Sequence, residues 1–334
     1  MSGYSAFNKG AWRAYLLMQA GGAKPPIPPL SPEQARVAID QQLQAGVAQQ
    51  PTPSRWCLRR ILAACSGLLA VRSLGGLLGI LRRLGITRQR ARGYVHSPDG
   101  AYDAKLKAIQ TVLSQCDNKQ KVVVFADELT YYNQPSVAPD YALEKQQPKA
   151  HQALGQTKSW RIMGCLNPFD GRLTTIQRSK ISVAAQVELY QQLRLDYPQA
   201  QTIYVVMDNW PMHYHPDLMA ALIAQQTPFA LNIPKSWQAL VPKKKYKALQ
   251  LPIQLVPLPT YASWLNPIEK VWKWLKKEVI HNHRFAHSMD ELKARIQEFL
   301  AGFRAVSPSL LSYCGLQNPK GIYAQALKLK TAVI

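Results

Sequence analysis

The chain has 334 residues, 47% of them hydrophobic, with 41 lysines and arginines against 19 aspartates and glutamates, a net charge of +22 and a pI near 9.9. That length and apolar fraction exclude a disordered chain and leave room for two domains and a large core. So large a basic excess points to a polyanionic partner, either nucleic acid or an acidic membrane surface.

Residues 1–50 read as an N-terminal arm, in which "GGAKPPIPPLSPEQ" is an extended proline-rich linker. Ser31-Pro32-Glu33 then opens a helix to about Ala45. Residues 51–98 read as a compact basic unit, with nine arginines and no lysine or acidic residue between Pro51 and Arg92. Trp56, Leu58, Ile61 and Leu62 begin one helix, "CSGLLA" breaks it, and Ser73 caps a second that carries Leu74, Leu77, Leu78, Leu81 and Leu84. Two short helices about a glycine-containing turn look like a helix-turn-helix, with a plain helical hairpin as the competing reading. Gly75, Gly76 and Gly79 each cost the second helix about 1 kcal/mol relative to alanine. Arg72, Arg82 and Arg83, with Arg88, Arg90 and Arg92 on the connector "GITRQRARGYVHSPD", are the expected phosphate contacts. Ile61–Leu81 is nearly long enough to span a bilayer, but Arg72 in its middle costs about 2.5–3.5 kcal/mol on insertion scales. Arginines flank both of its ends, so no orientation is favoured and no membrane role is expected.

Residues 99–334 read as one mixed α/β domain. A helix from about Ala101 to Cys116 leads to Val122–Phe125, an apolar run expected for a strand buried on both faces and ending at Asp127 and Glu128. Neighbours on a strand point to opposite faces, so only one of those two carboxylates can enter a given site. Strands follow at Trp160–Leu166 and Arg172–Gln177 about the turn "NPFDG", then a helix from Val183 to about Leu195. A second apolar run, Ile203–Met207, ends on Asp208. His215–Gln225 reads as a helix and "TPFALNI" as a strand. A basic excursion at about 234–251, bearing Lys243, Lys244 and Lys245, reads as an inserted DNA-contacting hairpin before the strand "PIQLVPL". In "LPTYASWLNPIEKVWKWLKK" Asn266 is a good N-cap, Pro267 suits the first helical position, and Ile268, Val271, Trp272 and Leu275 recur on one face. Glu269, Lys273 and Lys276 share the polar side. A capping box between Asn266 and Glu269 is the competing reading of that start. Asp290–Phe303 is a C-terminal helix.

Asp127, Asp208 and Glu269 therefore come from two buried strands and a helix start. Buried carboxylates repel one another and lose hydration, so such a cluster calls for a cation. Oxygen-only ligands suit Mg2+ or Mn2+, and a pair of such ions roughly 4 Å apart serves in-line phosphoryl displacement. These three residues are the expected metal ligands, with Asn209 and His213 as candidates to support them. The five cysteines are scattered with no C-x-x-C pair, which excludes a zinc site and a secreted disulfide framework and reads as reduced thiols in a cytosolic protein. His213, His215, His281, His283 and His287 include pairs two apart, but without cysteines no zinc site is expected, and His213 and His215, close after Asp208, stay open between supporting the site or a phosphate and being ordinary loop histidines. Trp264 and Trp274 are open between base stacking and packing.

"VVVFADE", "YVVMDNWPMHYH" and "LPTYASWLNPIEKVWKWLK", with Trp160 and Gly164 between the first two, resemble the three blocks of the DDE transposases of the mariner superfamily, in its bacterial insertion-sequence branch. The resemblance covers about Trp56 to Ala301. It implies a ribonuclease-H-like catalytic domain with Asp127, Asp208 and Glu269 as its catalytic acids. It also implies Mg2+-dependent cutting of double-stranded DNA at terminal inverted repeats, attack of the freed 3′-hydroxyl on target DNA, generally at TA, and a homodimer that pairs two ends. A bacterial cytoplasmic, nucleoid-associated location goes with it. Two features depart from the pattern. The interval from Asp208 to Glu269 is long, through the lysine-rich excursion, and only about twenty residues precede the proline-rich linker, where members carry a further helix-turn-helix unit. A chain with that unit reduced could instead occupy inverted repeats without cutting them, and another metal-dependent nuclease on the same fold is a further alternative.

Overall fold

The structure is a computed structural model and describes residues 30–49, 56–65, 69, 71, 73–88 and 97–328. Arg72, Arg90, Arg92 and most of the proline-rich arm lie outside these residues. The chain divides into two compact units, Met1–Gly93 and Tyr94–Ile334.

The first unit is helical, with α1 (Pro32–Gln49), α2 (Leu58–Ala64) and α3 (Leu74–Arg83). Ser31 and Gln34 start α1 with a reciprocal capping box: the Ser31 hydroxyl accepts from the Gln34 N–H at 3.2 Å, and the Gln34 amide oxygen accepts from the Ser31 N–H at 3.0 Å. Ser73 caps α3 as expected, accepting from the Gly76 N–H. Gly85, at φ 72°, ends it, and the Ile86 N–H turns back to the Leu81 carbonyl at 2.8 Å. Ala35, Ile39, Cys65, Leu69, Val71, Leu77, Ile80, Leu81 and Leu84 form the buried core. The apolar stretch from Ile61 to Leu81 is thus shared between α2 and α3. Among the described residues no helix is long and apolar enough to cross a membrane.

The second unit is built on a five-stranded sheet of order β3-β2-β1-β4-β5. Its strands are β1 (Lys121–Tyr132), β2 (Ser159–Leu166), β3 (Leu173–Arg178), β4 (Thr202–Met207) and β5 (Ile253–Pro257). β1, β2 and β3 are antiparallel neighbours, whereas β4 runs parallel to β1 and β5 parallel to β4. This mixed sheet flanked by helices is the expected fold class. Val122, Val124 and Ala126 face α5 (Val183–Asp196) and α6 (Pro216–Ala221) in one cluster. On the other face Val123 and Phe125 pack with Ile109 and Leu113 of α4 (Tyr102–Gln115). Farther along that face, Leu129 and Tyr131 pack under α8 (Ile268–Leu275) and α9 (Met289–Ala301).

Several sequence expectations differ from this arrangement. β1 does not end at Asp127 and Glu128 but runs on to Tyr132, because Leu129 and Tyr131 find a second apolar cluster beneath α8. "TPFALNI" forms no strand. The helix expected over His215–Gln225 is a 3-10 turn (Pro211–Tyr214) followed by the short α6. The basic excursion is not a β-hairpin but a 3-10 turn (Lys235–Trp237) and a one-turn helix, α7 (Lys244–Lys247), anchored by buried Tyr246. The long connection from β1 to β2 is pinched at its base. Asn133 and Lys158 exchange two hydrogen bonds, Gln134 and Ala153 two more, and Asn282 holds Ala138 through both its amide atoms.

Candidate active site

Asp127 lies where the two clusters on one face of β1 meet, between Phe125 of one and Leu129 of the other. The parallel register pairs Phe125 with Val206, each two residues before an acid, Asp127 and Asp208. β4 stops at Met207, and the chain turns away through Asp208 and Asn209. The Asn209 amide donates to the Leu258 carbonyl, and the Leu258 N–H to the Met207 carbonyl at 2.7 Å, which ties together the ends of β4 and β5. Just past β5, the loop to α8 brings in Glu269. Asp127, Asp208 and Glu269 line one cleft of about 890 Å³, together with Lys105, Asn209, Trp210 and Tyr261. Glu128, on the opposite face, is absent from its lining, as strand alternation requires.

Each acid has its own surroundings. Burial, then the charges of Glu269 and Glu128, push Asp127 up to about 8, although the Trp272 indole N–H donates to its Oδ2 at 2.9 Å. Gly164 permits that contact. It pairs with Asp127 across β1 and β2, and a Cβ built on it would meet the Trp272 ring at 2.7 Å. Burial raises Asp208, but the hydrogen bond and charge of His213 and the Trp210 N–H outweigh it and leave its carboxyl below the usual range. Glu269 is raised by burial and by Asp208, against the pull of Lys276.

His213 is buried and stands between two carboxylates, with Nε2 3.1 Å from Asp208 Oδ1 and 3.9 Å from Glu128 Oε1. The Gln186 amide donates to Glu128 at 2.8 Å and lies 3.5 Å from His213 Nδ1. An amide N–H facing Nδ1 leaves the ring proton on Nε2, directed at Asp208. Nothing in the sequence signals Glu128 and Gln186 as partners, since 58 residues separate them. Lys105 is another group the sequence leaves unmarked. Its Nζ is 2.8 Å from Asp99 Oδ2, and Asp99 also accepts from the N–H groups of Ala101 and Thr260.

The other candidate residues are spread over the surface. Lys273 and Lys276 are exposed on and just beyond α8, and Lys276 alone is near enough to influence Glu269. Lys243, Lys244 and Lys245 are exposed outside the cleft lining, with Lys243 3.7 Å from Asp217. Arg82, Arg83 and Arg88 are exposed in the first unit. Trp274 is a packing residue, stacked on Tyr313 with ring centroids 4.4 Å apart, while Trp264 is half exposed. Among the described residues no group of three or more His, Cys, Asp or Glu is drawn into a ready metal cage. The donors nevertheless fit a hard divalent cation. They are oxygens only, and Asp127, pushed up first by burial and then by the charges of Glu269 and Glu128, is a carboxyl whose charged form a cation would favour.

A protein-family model described as DDE superfamily endonuclease matches residues 122–293, just over half of the chain. The chain belongs to this family. The matched region contains all three acids of the cleft. A further match, 25% identical over 224 residues, is the uncharacterized 39 kDa protein of insertion element IS630 from Shigella sonnei. It takes in 67% of this chain and 56% of that relative, so the chain spans little more than half of the relative's length. These two matches set the chain among the DDE endonucleases, with a resemblance to an insertion-element protein. Solved structures share its fold at low identity. The Mos1 transposase paired-end complex with left transposon end superposes with a TM-score of 0.56 at 12% identity, over 97% of this chain and 87% of that one. The Mos1 mariner paired end complex with Mn gives 0.57 at 12% identity, with the same coverage.

Proposed function

We propose that this DDE protein is a transposase that cuts DNA at the terminal inverted repeats of an insertion element and joins the freed 3′-hydroxyl ends to target DNA, at TA. The observation that carries this reading is the convergence on one cleft of Asp127 from within β1, Asp208 from just past β4 and Glu269 from the first turn of α8. Asp127, Asp208 and Glu269 would hold two Mg2+ or Mn2+ ions. Such ions, when bound, lower the pKa of an attacking oxygen and stabilise the leaving one. The Mos1 complexes with Mg and with Mn support the choice of ion. The protein's own part is positional. His213 donates to one oxygen of Asp208 and leaves the other for the cleft, Trp272 does the same for Asp127, and Asn209 fixes the turn that carries Asp208. Arg72, Arg82, Arg83, Arg88, Arg90 and Arg92 of the first, DNA-reading unit would grip the end duplex, with Lys243, Lys244, Lys245, Lys273 and Lys276 tracking phosphates beside the cleft. A homodimer would hold two ends together, a reading that the Mos1 paired-end complex supports.

The test is a cleavage assay on the element's end sequence and a scrambled duplex, with Mg2+ or Mn2+. Nicks confined to the end sequence, lost in Asp127→Asn and Asp208→Asn while duplex binding stays, are the expected result. Cleavage that survives either substitution would remove the acids from the chemistry. Binding without nicks would make the chain an inverted-repeat-binding protein, and nicks without end preference or joining would make it another nuclease.

A further inference from the structure

Asn266 does not do what its place before a helix leads one to expect. Its φ and ψ are extended, −97° and 104°, but its side chain caps nothing, and α8 begins behind Pro267 with no side-chain cap. The amide nitrogen instead crosses to β1 and donates to the Ala126 carbonyl at 2.9 Å, one residue before Asp127. A carbonyl can only accept, so this bond fixes which end of the amide faces the strand and turns Oδ1 the other way. That oxygen is buried, with the residue only 5% exposed, and has no hydrogen-bond partner. Asn266 also lines the cleft that contains Asp127, Asp208 and Glu269. A buried acceptor left without a donor is costly, so a ligand that satisfies it is favoured there.

We propose that Asn266 Oδ1 accepts a hydrogen bond from a water molecule of the divalent cation held at Asp127 and Glu269, and so makes Asn266 a positioning residue of the metal site. Mg2+ keeps several of its waters when it binds through one or two carboxylates, and those waters need acceptors. Groups at this remove from a metal commonly change affinity 10- to 100-fold. The same amide spans the strand that carries Asp127 and the loop that delivers Glu269, so one side chain both spaces the acids and supports the hydration shell between them. The inference rests on the metal reading of the acids.

The experiment is Mn2+ binding to the full chain without DNA, read as free Mn2+ by electron paramagnetic resonance, with near-UV circular dichroism as the check on folding. Asn266→Ala, and Asn266→Leu as a variant that keeps the volume, should weaken binding about tenfold. Asn266→Asp keeps an acceptor oxygen but loses the donor to Ala126, and should bind within about threefold of wild type. Equal loss in all three would reduce Asn266 to a tether and overturn the proposal, as would wild-type affinity in the alanine and leucine variants. Asp127→Asn separates the two ideas. If it too binds Mn2+ normally, the metal reading itself fails, whereas if it loses Mn2+ while Asn266→Ala does not, only the role of Asn266 falls.

Discussion

Gly164 leaves the Trp272 ring the space that a side chain would fill, and the indole N–H donates to Asp127. Gly164→Ala would set a methyl 2.7 Å from the ring and displace it. Overpacking of this kind costs about 1–3 kcal/mol. The expected result is a lower melting temperature together with a loss of strand cleavage larger than the loss of stability explains. Cleavage at the wild-type rate would separate the indole from the chemistry.

His213 links Asp208 to Glu128 and its partner, the buried Gln186. If Asp208 holds a metal ion, His213→Ala should lower cleavage about 10- to 100-fold and leave binding of the end duplex nearly unchanged. Single-turnover nicking and a gel-shift titration on one preparation check this. Equal loss in both assays would mean a collapsed fold.

Asp99 gives a pH dependence of known sign. Burial alone would raise its carboxyl, but Lys105 and the N–H groups of Thr260 and Ala101 hold it far below the ordinary 3.8. A folded-state pKa below the unfolded value stabilises the fold above about pH 4, and that contribution disappears as acid protonates the group. Asp99→Asn should therefore be less stable than wild type near neutrality, with a gap that narrows as pH falls below about 4. Urea midpoints at several pH values measure it, and a gap independent of pH would show that the charge of Asp99 contributes nothing.

The glycines of α3 are not equivalent. A Cβ on Gly75 meets nothing within 4 Å, so Gly75→Ala should stabilise the first unit by about 0.5–1 kcal/mol. At Gly76 the same atom would lie 3.1 Å from Ser73 Oγ and Val71 Cγ1, which cancels the gain. Thermal melts of the two variants, compared with wild type, read the difference.

If Lys243, Lys244 and Lys245 meet phosphates, replacing all three by alanine should flatten the salt dependence of duplex binding. The slope of log K against log salt would fall in magnitude by about 2–3. An unchanged slope would leave the excursion as a solvated surface.

The helix of Glu269 was legible because Ile268, Val271, Trp272 and Leu275 repeat with a helical period and are all buried. Its first turn was not, since a good capping residue met a better-placed partner 140 positions away. The three acids could be picked out because two sit on wholly apolar runs, a local signal. The length of β1 could not, because its second half depends on helices much later in the chain. Glu128 gains its partners only through the fold, from Gln186 on α5 and from His213.

The base of the β1–β2 connection is tied by Asn133 to Lys158 and Gln134 to Ala153, so the lariat of chain beyond those knots transmits little of its own length to the strands. The entropy of closing a loop grows only with the logarithm of its size, about 0.6 kcal/mol for each doubling. Segments could be spliced in or trimmed there while Asp127 and Gly164 stay in register, which makes this arc the natural graft point for giving the protein a new surface without disturbing its acids.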